Sequence, residues 1–93
     1  MPTQTQTRQE EGIGTGLDQP WVVILFNDDF HAFDAVVAQV QKATGCSQGE
    51  AFQVTYTAHT NGQAVTYVGD KALCEEVAKV LGEIDLRVKL EEA

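Results

Sequence analysis

The sequence predicts an α+β fold, a two-layer β-α-α-β-α-β sandwich whose three-stranded antiparallel sheet packs against helices. Three observations carry this prediction. Nearly all apolar side chains lie beyond Pro20. Short β-branched and aromatic runs alternate with stretches of helical periodicity. The last candidate strand alternates apolar and charged residues, the pattern of a sheet with one wet face.

Residues 1–20 hold only Met1, Ile13 and Leu17 as apolar side chains among Thr, Gln, Glu and Gly. So little burial cannot offset the entropy of ordering, and this arm is expected to be disordered. Folding is assigned to residues 21–93. Trp21 to Phe26 is β-branched and aromatic, follows a proline and precedes Asn-Asp-Asp, and reads as a buried strand. Phe33, Val36, Val37 and Val40 recur on one face of a helix running to about Thr44, with Gly45 as its stop. Ser47-Gln48-Gly49-Glu50 has the capping-box form and opens a second helix with Ala51, Val54 and Ala58 inward. Asn61-Gly62 is turn chemistry, and Ala64 to Val68 reads as a second strand. Asp70 can cap a third helix with Leu73, Val77, Val80 and Leu81 inward and Gly82 just past its end. Leu86, Val88 and Leu90 then alternate with Arg87, Lys89 and Glu91 as the last strand.

The chain has 93 residues and a formal charge of −8, of which −2 falls in the arm and −6 in the remainder. That balance excludes the basic face a nucleic-acid binder needs and argues against docking on an anionic membrane. No apolar run approaches the roughly 18 residues of a membrane span, and the N-terminus lacks a signal-like apolar stretch. Cys46 and Cys74 form no CxxC motif, so free thiols and a cytoplasmic location are expected. The partner implied by bulk charge is positive at its point of contact.

Asn27, Asp28 and Asp29 follow the first strand and read in two ways. They form either a polar turn that satisfies its own backbone or an acceptor-rich cluster suited to an ammonium group. A hard cation would need about six oxygen ligands, more than are in view. His31 has the bland reading of an exposed residue at a helix start, and His59 that of a charge at a helix C-terminus. A zinc site would need both histidines and both cysteines to converge without recognisable spacing, and no metal or cofactor is expected. An enzyme reading would pair His59 as base with Thr55 or Thr57 as nucleophile, but no catalytic sequence context supports it. Gly12, Gly14 and Gly16 lack a preceding strand and do not make a phosphate loop.

Taken together, Trp21 to Phe30 resembles the hallmark strand and N-D-D-[YF] motif of the ClpS family, the adaptors of the ATP-dependent Clp protease. His59-Thr60-Asn61-Gly62 resembles that family's helix-ending H-x-x-G, and Leu86 to Ala93 its last strand. The resemblance implies a non-enzymatic adaptor that binds proteins with a bulky hydrophobic N-terminal residue, an N-degron, and delivers them to a ClpA-type unfoldase. Carried over, Asn27, Asp29 and His59 would hold the α-amino group and first peptide unit, with Asp28 in electrostatic support. Phe33, Val36, Thr55, Ala58 and Leu86 would line the pocket for the first side chain.

This sequence also departs from the family pattern. His31-Ala32-Phe33 stands where Thr-Pro-Met is usual, and Phe33 replaces a methionine at the pocket mouth. Thr55 and Ala58 replace a common methionine and valine, which implies a wider and slightly more polar floor and a preference for a large aromatic stacked on Phe33. The family's acidic and basic docking positions for the ATPase fall on Lys71 and Glu76 with signs reversed. The alternative is therefore a peptide-interaction module of the same fold with another ligand or another ATPase partner. A small hydrolase is a distant third.

Overall fold

The structure, a computed structural model, describes residues 19–93. The assignment of an arm to residues 1–20 therefore falls almost wholly outside the described residues. Six elements follow in the order strand, helix, helix, strand, helix, strand: β1 (Trp21–Phe26), α1 (Phe33–Thr44), α2 (Gln48–Asn61), β2 (Gln63–Gly69), α3 (Lys71–Gly82) and β3 (Val88–Glu92).

β1 lies between β2 and β3 and pairs antiparallel with both. Trp21 faces Gly69 on one side and Glu92 on the other, which fixes the register of the whole sheet. The ladder slips between Val23 and Ile24, whose partners are Tyr67 and Val65, so Thr66 bulges out of register. The Ala93 N–H donates to the Pro20 carbonyl at 3.0 Å, extending the sheet one residue before β1.

Alternation along β1 sends Val23 and Leu25 into a core completed by Val36, Val37 and Val40 of α1, Ala51 and Ala58 of α2, and Cys74, Val77 and Leu81 of α3. Val22, Ile24 and Phe26 occupy the opposite face of β1, and the Arg87 guanidinium sits 5.1 Å from the Phe26 ring centre. On this open face Val65 and Val68 of β2 are more than half exposed.

The helix boundaries follow the predicted chemistry. Gly45 ends α1 in the left-handed region, φ 74°, where a side chain would be strained. Ser47 and Glu50 form both halves of a capping box, and the hydrogen bonds from Ser47 hold the Glu50 carboxyl below its usual range. Asp70 accepts the Leu73 N–H at 2.8 Å at the start of α3.

Two expectations for α3 need correction. Leu73 is half exposed, and Cys74 takes the inward position with Val77 and Leu81, while Val80 is only partly buried. Gly82 lies within the helix, and the left-handed residue that redirects the chain is Asp85, φ 64°. One link between helices was not predicted. Buried Gln39 donates to the Val80 carbonyl at 2.6 Å, and Lys42 meets Glu83 at 2.8 Å, holding the Glu83 carboxyl below its usual range. Burial pushes the Cys74 thiol up, opposed by its hydrogen bond to Gly69 and reinforced by Asp70.

Candidate functional site

The site forms where β1 ends. The Phe26 N–H donates to the Arg87 carbonyl at 3.0 Å, and the Asn27 N–H donates to the Gly62 carbonyl at 2.9 Å. The second bond fastens the Asn27 turn to the end of α2, which also carries His59. Gly62 can make that corner because it caps α2 at φ 91°. Residues more than thirty positions apart in the sequence thus converge on one rim.

Below that rim lies a cleft of about 290 Å³, lined by Leu25, Phe26, Asn27, Asp28, Asp29, His31, Phe33, Val36, Thr55, Ala58 and His59. Its floor and walls are apolar, supplied by β1, α1 and α2, and its polar groups gather on the turn and at His59. All four residues predicted to hold an amino group line it, as do Phe33, Val36, Thr55 and Ala58. Leu86 does not: it is 5 % exposed within the core, where its N–H reaches the Leu81 carbonyl. The physical reason is the turn at Asp85, which brings the chain in beneath α3 before β3 begins at Val88.

The two aspartates of the turn have different surroundings. Asp28 is nearly buried, and both its oxygens are engaged, Oδ1 by the Phe30 N–H at 2.7 Å and Oδ2 by the His31 ring Nδ1. Burial raises its pKa, but the bonds from Phe30 and His31 outweigh that effect and hold the carboxyl below its usual range. Asp29 is exposed, and the Asn27 side-chain N–H donates to its Oδ1 at 3.1 Å. That bond uses an amide donor, so the Asn27 carbonyl oxygen and the second Asp29 oxygen remain available as acceptors at the cleft. Among the described residues no Lys or Arg pairs with either aspartate.

His31 was read from the sequence as an exposed residue at a helix start. It is partly buried, pairs with Asp28 and lines the cleft. The three-residue spacing across a non-helical turn gave no periodic signal of this. Thr55 is 4 % exposed, and its hydroxyl donates to the Ala51 carbonyl at 2.7 Å. The proton of that hydroxyl is spent within α2, so the floor is less polar than its composition implied. Phe33 contributes one wall; its ring meets Phe52 edge-on at 5.1 Å and His59 at 6.5 Å.

Lys71 and Glu76 lie on α3 and do not form part of the cleft. Both are exposed, but five positions along a helix turns them about 140° apart, so they do not share a face. Lys71 is already occupied, its ammonium 5.0 Å from the Trp21 ring centre. Among the described residues no helix is long and apolar enough to cross a membrane, and no cluster of three or more His, Cys, Asp or Glu is arranged to hold a metal ion.

A cleft with an apolar floor and acceptors on its rim can hold a group that is positive and donor-rich at one end and apolar at the other. Residues 17–87 match the family model for the ATP-dependent Clp protease adaptor protein ClpS. The chain is similar to a solved structure of Agrobacterium tumefaciens ClpS2 bound to L-phenylalaninamide, with a TM-score of 0.76 and 24 % identity over 82 % of this chain and 99 % of that one. It is also similar to the human E3 ubiquitin-protein ligases UBR2 and UBR1. Identity to UBR2 is 34 % over 58 residues, 62 % of this chain and 3 % of that protein. Identity to UBR1 is 28 % over 76 residues, 82 % of this chain and 4 % of that protein. The chain therefore spans only a small fraction of the length of these ligases.

Proposed function

The chain belongs to the ClpS family of Clp protease adaptors, and from that premise we propose that it binds proteins through a bulky hydrophobic N-terminal residue and delivers them to a ClpA-type unfoldase. The observation that carries this reading is the continuity of one cleft. Its rim presents the Asn27 amide oxygen, the Asp29 carboxylate and the His59 imidazole, and its floor is formed by Val36, Thr55 and Ala58. An α-ammonium group has three N–H donors and a positive charge, and only a chain's first residue carries that group beside its own side chain. The ligand of the solved Agrobacterium relative, L-phenylalaninamide, has this chemistry: a free amine, an amide in place of the next peptide bond, and an aromatic side chain.

In this reading residues 21–93 form the binding domain, the arm at 1–20 is the segment the unfoldase engages at hand-over, and the protein acts in the cytoplasm without catalysing a reaction. Asn27, Asp29 and His59 hold the amine and first peptide unit, and Phe33 bounds the first side chain. Asp28 acts one step back, because the hydrogen bonds that occupy its carboxylate fix the turn on which Asn27 and Asp29 stand. Titration with peptides that differ only in their first residue tests the reading. Phe-, Trp- and Leu-initiated peptides are expected to bind well above an Ala-initiated one, and equal affinity for Ala and Phe overturns it.

A second reading concerns the partner. With Lys71 held over Trp21 and Glu76 on another face of α3, the docking positions implied by the family are reversed in sign and split. Like charges across a docking face suppress a partner strongly, and this favours a peptide-binding module that serves a different ATPase. A pull-down from the source cell separates the two: recovery of a ClpA-type unfoldase supports delivery to it, and recovery of another ATPase supports the second reading.

A further inference from the structure

Two large aromatic side chains lie outside the cleft, and one of them packs against the ring that forms its wall. Phe52 and Tyr56 stand one turn apart on α2, 47 % and 51 % exposed, and neither lines the cleft. Their rings are stacked, with centroids 6.3 Å apart and planes at 7°. Phe52 also meets the edge of Phe33 at 5.1 Å and 62°, and His59 flanks Phe33 from another side at 6.5 Å and 87°. The three phenyl-type rings form a chain running from open solvent to the cleft.

We propose that Phe52 and Tyr56 are positioning residues that brace the Phe33 ring, and that the fixed ring makes the cleft select an aromatic first side chain over an aliphatic one of similar bulk. The inference rests on the reading of the cleft as an N-terminal residue site. Phe33 is the first residue of α1, partly buried and packed on the edge of the core. Without neighbours it could turn about its side-chain torsions. Contacts with Phe52 and His59 on two flanks narrow that freedom.

A fixed aromatic wall rewards a second ring with an edge-to-face or offset contact beyond simple area burial, whereas leucine gains the area alone. A wall free to turn must first lose its orientational freedom, and the geometric advantage of the ring shrinks. Val36, Thr55 and Ala58, which also line the cleft, have no π-face. Among the described residues that line the cleft, Phe33 is the one whose ring meets Phe52.

The test is binding of two free-amine peptides, Phe-initiated and Leu-initiated, to the full chain and to Phe52→Ala, Tyr56→Ala, Phe52→Leu and Phe52→Tyr. Both residues are half exposed, so their truncation leaves the core intact. In Phe52→Ala and Phe52→Leu the affinity ratio of Phe to Leu is expected to fall by about three- to ten-fold, the factor one aromatic contact carries. Tyr56→Ala shifts the ratio the same way by less, and Phe52→Tyr, which keeps the ring, restores it. A parallel loss for both peptides would mean only that α2 is weakened, and it overturns the proposal. So does an unchanged ratio. Failure of the unaltered chain to bind the free-amine Phe peptide is a separate result, which removes the N-terminal residue site itself and this proposal with it.

Discussion

Replacing Asp28 with asparagine separates the fastening of the turn from the charge it carries. Phe30, at the apex, is 95 % exposed, so apolar burial does not hold residues 28–31. Their order rests on the two bonds to the Asp28 carboxylate, from the Phe30 N–H and the His31 ring. Asparagine keeps one acceptor for Phe30 but loses the charge and the ionic character of both bonds. Charge-assisted bonds contribute about 1.5–3 kcal/mol and neutral ones about 1 kcal/mol. With His31 still partly exposed to solvent, a net loss of about 1 kcal/mol is expected, which lowers Tm by about 4–8 °C in a domain of this size. The pH dependence supplies the sign. Those bonds hold the Asp28 carboxyl below the usual carboxylate range, so its stabilisation is fully present above that range and is lost as pH falls through the lower folded value. Thermal melts of the two proteins are therefore expected to differ at neutral pH and to converge in strong acid. Equal Tm values at neutral pH, or a gap that persists in strong acid, would refute the assignment of Asp28 as the fastener.

Further predictions concern the floor, the corner and the core. Thr55→Met pushes a longer side chain into the cleft, and calorimetry is expected to show Trp-initiated peptides weakened by about five-fold or more, the low end of overpacking costs, with Leu-initiated peptides affected less. Gly62→Ala meets no atom within 4 Å, so its effect is the backbone strain of φ 91°, about 1–2 kcal/mol. Because the Gly62 carbonyl holds Asn27, peptide affinity should fall as well as denaturant stability. Leu81→Ala, at a fully buried position remote from the cleft, is expected to lower stability by about 2–5 kcal/mol in urea unfolding while leaving peptide affinity per folded molecule unchanged.

Much of this architecture was legible because the chain states it in local chemistry. Ser47 with Glu50, Asp70, Gly45 and Gly62 each mark a helix end by a hydrogen bond or a backbone conformation that few residues supply, and each lies within a residue of the observed boundary. The acceptor cluster at Asn27–Asp29 was legible as chemistry, but its union with His59 depended on the resemblance, since it arises from the Asn27–Gly62 bond and the pairing of Phe26 with Gln63, which no local pattern states. The errors have physical causes. Leu73 and Cys74 are neighbours about 100° apart on α3, and hydropathy favoured the larger side chain although the smaller one fits beneath the sheet. Leu86 fits the alternation of β3, but the left-handed turn at Asp85 places it in the core before the strand starts. The roles of His31, Phe52 and Tyr56 arise from contacts that periodicity does not encode. His31 bonds across an irregular turn, and the two aromatics lie on the half-exposed side of a helix whose inward face is small.

The central claim is that the rim of this cleft recognises a free α-amino group. Binding of a Phe-initiated peptide and of its N-acetylated twin, measured with the unaltered chain and with Asp29→Ala, tests it most directly. Acetylation removes the charge and most of the donors, and it leaves the rim acceptors unpaired. The account predicts that acetylation weakens binding to the unaltered chain by about 30-fold or more, the equivalent of about 2 kcal/mol, and that Asp29→Ala removes most of that discrimination. Equal affinity for the two peptides, or full discrimination surviving in Asp29→Ala, would contradict it.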